Sequence, residues 1–152
     1  MITIKFFVPG TPRTAGSKKA FPLWRGTGPN RHFVRSIITD DSGAAGKAWR
    51  SVVQDAAREA FGDRPLMDGP LRVAFGFFVQ RPKSHLNKSG NLRLSAPCKP
   101  TTRPDVLKLA RAAEDALTGI IWKDDAQITT EVLRKRYADK PGIDVEIRED
   151  VE

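Results

Sequence analysis

Residues 101–128, "TTRPDVLKLARAAEDALTGIIWKDDAQI", hold one helix and the start of one strand, and their reading organises the rest of the chain. At about 100° per residue, Val106, Leu109, Ala113, Ala116, Leu117 and Ile120 gather on one side, which is the core side. Leu107, Arg111, Glu114 and Thr118 fall on the other, with Lys108 and Asp115 at its edge. Pro104 or Asp105 begins the helix, and Gly119 ends it in the manner of a C-terminal glycine. The turn "IIWKDDAQ" then presents Asp124 and Asp125 as the chain enters its next strand.

Downstream, "AQITTEVLRKRYA" alternates as a strand does, and "IDVEIRE" supplies a last one. Upstream, "GPLRVAFGFFVQRP" reads as a strand in which Leu71, Val73, Phe75 and Phe77 alternate before Phe78 and Val79 break the pattern. Between it and the helix lies "KSHLNKSGNLRLSAPCKPTTRP", a polar, basic, proline-bounded loop too long to be a mere connection. Further back, "GAAGKAWRSVVQDAAREAF" places Trp49, Val52, Val53, Ala56, Ala60 and Phe61 at helical spacing, with Ser42 as the expected cap. The N-terminal "ITIKFFV" is a strand ended by Pro9 and Gly10, and the next thirty residues predict a long basic loop or hairpin. With no internal repeat, residues 1–152 are expected to form a single α/β (α+β) domain: a mixed sheet with two main helices on one face.

A chain of 152 residues buries a real core without disulfides, and its one cysteine, Cys98, permits neither an internal disulfide nor a cysteine-based zinc site. "MITIKFFVPG" lacks the pattern of an export signal, and no apolar run approaches the ~20 residues that span a bilayer. The expectation is a soluble protein of the bacterial cytoplasm with no membrane partner. Lys plus Arg number 26 against 18 acids, a formal charge of +8 that points to a polyanion. Neither Arg13–Arg35 nor Arg72–Arg103 contains an acid, so the positive charge is concentrated before and beside the helix.

Carboxylates from a helix start and a strand start can converge on one hard divalent cation, which takes one or two carboxylates plus waters and phosphate. Phosphodiester hydrolysis uses such an ion to polarise the phosphate and activate water. Spacing alone is better served by a plainer reading, in which Asp105 caps the helix and Asp124 and Asp125 form a turn.

"KPTTRPD", "LARAAEDALTG", "WKDDAQI" and the downstream "KRYA" resemble the signature of the RusA family of Holliday-junction resolvases, phage-associated endodeoxyribonucleases. "RPKSH", "SAP" and "VPGTPRTAGSKK" leading to "GKAWR" extend the resemblance over most of the chain. It implies a homodimer that binds a four-way DNA junction and uses Mg2+, with Mn2+ as a possible substitute, to make paired nicks; no organic cofactor is implied. Position by position, it assigns the first motif aspartate to Asp105, the basic residue to Arg111 and the turn ligand to Asp125, with Asp124 beside it. Asp115 matches an acid commonly found before Ala-Leu.

The family's second aspartate falls at Leu107, while Glu114 stands where the family is usually apolar. Seven residues put both on one helix face, roughly 10 Å apart along the axis. Glu114 is therefore a candidate replacement ligand. Two alternatives stand beside it: Asp105 and Asp125 suffice with waters, or Glu114 is a solvated residue paired with Arg111 or Lys108 and cleavage is lowered or abolished. Arg111 would contact phosphate or stabilise the transition state. Arg13, Lys18, Lys19, Lys83, Lys88, Arg103, Lys108 and Arg111 are the expected DNA-binding set. His32 and His85 are expected to face phosphate or solvent, Trp49 and Trp122 to be buried, and Trp24, within the basic stretch, is open to either role. The two function classes are a Mg2+-dependent junction endonuclease and a non-cleaving junction binder of the same fold.

Overall fold

The apolar alternation of the sequence is realised as eight elements in chain order: β1 (Thr3–Pro9), β2 (Lys18–Arg25), β3 (His32–Asp40), α1 (Gly43–Phe61), β4 (Leu71–Val79), α2 (Val106–Leu117), β5 (Ile128–Tyr137) and β6 (Gly142–Glu149). They come from a computed structural model that describes residues 1–16, 18–40 and 43–151. Four strands form a mixed sheet in the order β1-β6-β4-β5, in which β4 is parallel to β5 and every other pair is antiparallel. β2 and β3 form a separate two-stranded antiparallel ribbon, so the long basic stretch resolves as a hairpin.

Leu71, Val73, Phe75 and Phe77 are all buried on one face of β4. Against them pack Ala110, Ala113, Ala116 and Leu117 of α2, Trp49, Val53, Ala57 and Phe61 of α1, and Ile143, Val145 and Ile147 of β6. Full burial of a Leu, Ile or Phe contributes about 1.5–3 kcal/mol, so this single cluster is the main source of stability. The α1 stripe is narrower than expected: Val52 is exposed, because residues four apart from Trp49 to Phe61 already cover the available sheet. The expected cap Ser42 lies outside the described residues.

The opposite face of the sheet carries Lys5, Arg72, Arg134, Arg136, Asp144, Glu146 and Arg148, with Lys5 and Glu146 paired at 3.1 Å. At the far end, the Thr129 and Thr130 hydroxyls each donate to Asp150 at 2.6 Å and hold that carboxyl below its ordinary pKa.

Two contacts fix α2 over β5. Lys135 Nζ donates to the carbonyls of Thr102 (2.7 Å) and Pro104 (2.9 Å), tying the helix start to the C-terminal half of the strand. The helix then runs back along β5 and stops at Thr118, whose N–H bonds Glu114 O; Gly119 follows at φ +81°, the left-handed conformation its position predicts.

Candidate active site and nucleic-acid groove

The direction of α2 separates the two aspartates that the sequence brings to mind together. Asp105 is the residue before the first turn of α2, and Asp125 is bound to Thr118 after the last. At 1.5 Å per residue the two are about 20 Å apart along the axis. The expected convergence of Asp105 and Asp125 within one chain is thus corrected: a helix stands between them. Among the described residues, no three His, Cys, Asp or Glu side chains converge closely enough to hold a metal ion.

A different acidic centre forms at the C-terminal end of α2. The half-buried Glu114 carboxyl is hydrogen-bonded to Glu131 of β5 and lies in the field of Asp125 and Asp115. Burial, first, and then these acids push its pKa up to about 8. The shift favours the protonated form of Glu114 toward neutral pH. Neither of the pairings with Arg111 or Lys108 that the sequence permits is formed: Lys108 reaches Asp105 instead, at 3.6 Å. Glu131 was not singled out by sequence reading, although its signal was present. It lies on the same side of β5 as Leu133, which packs on the core, so the period of two points it at the helices.

Asp125 is held rigidly. Its Oδ1 accepts from the Thr118 hydroxyl and from Trp122 Nε1 at 2.8 Å, and Trp122 is itself fully buried. Asp124 serves the turn, as its spacing allowed. It caps the short 3-10 turn 125–127, accepting from Ala126 N at 2.8 Å, while Gln127 Oε1 accepts from Asp124 N and its Nε2 donates to Met67 O. Asp105, by contrast, sits at the N-cap position without making a side-chain cap bond and remains exposed.

Along α2 runs a groove of about 1070 Å³. Thr11–Gly16 and Lys18 form one wall; Arg103, Asp105, Lys108, Arg111 and Asp115 form the other. Five members of the expected DNA-binding set, Arg13, Lys18, Arg103, Lys108 and Arg111, therefore share one concavity. Lys83 and Lys88 lie on the 80–104 loop and do not line it, and Lys19 lies on the ribbon. An adjoining cavity of about 540 Å³ continues past Asp115 to Thr118 and Asp125. Leu107 points out of α2 with 62% of its surface exposed.

Trp49 and Trp122 are buried, as expected. His85 departs from expectation: it is half-buried and meets Tyr137 edge-on at 5.5 Å, while Arg81 stacks over the same tyrosine ring at 4.4 Å.

Glu114, Glu131 and Asp125 offer oxygen only, the donor type a hard divalent ion takes, but the three do not converge as a ready-made ligand set.

Comparison with known proteins bears on the whole arrangement. The family profile described as "Endodeoxyribonuclease RusA" matches residues 28–148. A Bacillus subtilis (strain 168) protein titled "Uncharacterized protein YqaN" is 33% identical over 86 residues, covering 55% of this chain and 61% of that protein. The chain thus spans about three-fifths of the length of this curated relative.

Proposed function

From the premise that the chain belongs to the RusA endodeoxyribonuclease family, we propose that it is a Mg2+-dependent, structure-selective nuclease that resolves four-way DNA junctions by paired nicks. The observation that carries this reading is the continuity of the cationic groove of Arg13, Lys18, Arg103, Lys108 and Arg111 with the adjoining cavity lined by Asp115, Thr118 and Asp125. Cations along the groove neutralise the DNA backbone and set it over the carboxylates. When bound there, a divalent ion polarises the scissile phosphate and activates water. Thr118 and Trp122 fix the orientation of Asp125, and Glu114 would have to be ionised to serve as a ligand beside it.

The separation of Asp105 from Asp125 supports the homodimer. If both carboxylates serve one phosphate, Asp105 of one protomer must meet Asp125 of its partner, and a two-fold axis then generates two such sites, as paired nicks require.

The direct test is nicking of a synthetic four-way junction with and without Mg2+, for the wild type and for Asp125→Asn and Glu114→Gln. Metal-dependent nicking that both substitutions reduce supports the proposal. Tight junction binding without nicking in Mg2+ or Mn2+ overturns it in favour of the non-cleaving binder, the reading favoured by the exposed Leu107 in place of a carboxylate.

A further inference from the structure

The ribbon β2–β3 has a composition that the groove does not account for. None of its described side chains is buried and none joins the core. Phe21, Trp24, Phe33, Val34, Ile37 and Ile38 are all between 39% and 70% exposed. The register sets Phe21 opposite Ile37 on one face and Ala20 opposite Ile38 on the other, so both faces are apolar. Next to the turn, Trp24 and Phe33 meet edge-on at 5.6 Å, and the Arg31 guanidinium stands 5.0 Å from the Trp24 ring centroid. A lone two-stranded hairpin is marginal in water, and an apolar surface of this extent marks an interaction site.

Charge selects the occupant. Between Lys18 and Thr39 the chain carries Lys18, Lys19, Arg25, Arg31 and Arg35 and no acid. A second copy of a chain with net charge +8 would bring like charge against this arm, whereas a polyanion is complementary. Intact duplex hides its apolar base faces by stacking. Where strands exchange, stacking is interrupted and base faces become available to aromatic side chains. The foot of the arm, Thr11–Gly16 and Lys18, is also a wall of the groove that holds Asp105 and Arg111, so one DNA molecule can occupy both.

We propose that the β2–β3 arm is the branch-point reader of this protein: Trp24 and Phe33 stack on base faces exposed where the strands of a junction exchange, while Arg25, Arg31 and Arg35 engage the flanking phosphates. This rests on DNA being the substrate, as argued above, but not on cleavage.

The test is made in EDTA, so that nicking plays no part. Trp49 and Trp122 are 7% and 0% exposed, which makes Trp24 the solvent-facing indole. Its emission is quenched on adding a synthetic four-way junction and changes little with linear duplex of equal length. In Trp24→Ala/Phe33→Ala the ratio of junction to duplex affinity falls about tenfold or more, given the usual worth of one or two stacked bases. Trp24→Phe/Phe33→Tyr retains the preference, and melting temperatures show that all variants fold. Equal loss on junction and duplex, or an unchanged Trp24 emission, overturns the proposal. A fall in sedimentation mass for the alanine variant also overturns it, because the arm is then a clasp between copies. Junction-selective binding that depends on Trp24 in a protein that never nicks leaves this inference standing and removes the nuclease reading.

Discussion

The half-buried Glu114 carboxyl on α2 lies beside the Glu131 carboxyl on β5, which brings together two acids seventeen positions apart in sequence. Two carboxylates take up this arrangement without repulsion only while one of them is neutral, so the raised pKa of Glu114 and the closeness of the pair go together.

The first consequence is a pH dependence with a definite sign. Folding raises the pKa of Glu114 from 4.5 to about 8, so the folded state favours the protonated form. Its contribution to stability is complete below the ordinary carboxylate value and is lost as pH rises through about 8. In EDTA the melting temperature of the wild type should decline across this interval. Glu114→Gln, which keeps a donor but cannot ionise, should flatten that decline. At pH 7 Mg2+ binding should release close to one proton, seen as a buffer-dependent enthalpy in calorimetry, and at pH 9.5 it should release almost none. Proton uptake at either pH contradicts the assignment.

A second prediction concerns the hold on Asp125. Trp122→Phe removes the Nε1 donor together with part of the buried indole ring, and Thr118→Val removes the hydroxyl with volume nearly conserved. Each should lower Mg2+-dependent nicking about 10–100-fold, the usual effect of losing a group that orients a ligand. Trp122→Phe should also cost about 1–3 kcal/mol of stability, since it alters a fully buried side chain and leaves an acceptor short of a partner. Nicking rates within twofold of wild type for both would show that Asp125 needs no such support.

A third tests whether the site spans two protomers. Asp105→Asn and Asp125→Asn homodimers should each be inactive. Mixed and allowed to exchange, they form heterodimers in which one site contains both mutations and the other contains neither. Random assortment then restores about one quarter of the wild-type sites, following from two-fold symmetry. The restored activity should make single rather than paired nicks, read on a denaturing gel. If mixing restores nothing, the two carboxylates do not act across an interface.

The groove yields a fourth, in the salt dependence of binding. If its five cations each neutralise a phosphate, they contribute about −4.5 to the slope of log affinity against log salt, at about −0.9 per contact. Arg103→Ala or Lys108→Ala should make the slope shallower by about one. Lys83→Ala, on a loop that does not line the groove, should change it less. Equal effects from all three would mean that the DNA path is not the groove.

Local pattern determined much of this protein before any tertiary contact was known. The 3.6-residue stripe of α2 and the alternation of Leu71 through Phe77 are local consequences of burying one face, so helix, strands and the one-sided sheet follow from the sequence. The motif residues from Arg103 to Asp125 pointed to the family in the same way. The tertiary structure alone decided which of these residues meet. The rise of α2 after Asp105 is set by its length, but that Asp125 is tied back to the far end of that helix by Thr118 and Trp122 is a tertiary fact. Because the same helix lies back along β5, Glu114 finds Glu131, a residue with no motif to announce it. Distances along a helix are fixed by the backbone and can be counted from the sequence; which strand lies alongside it is fixed by packing and cannot.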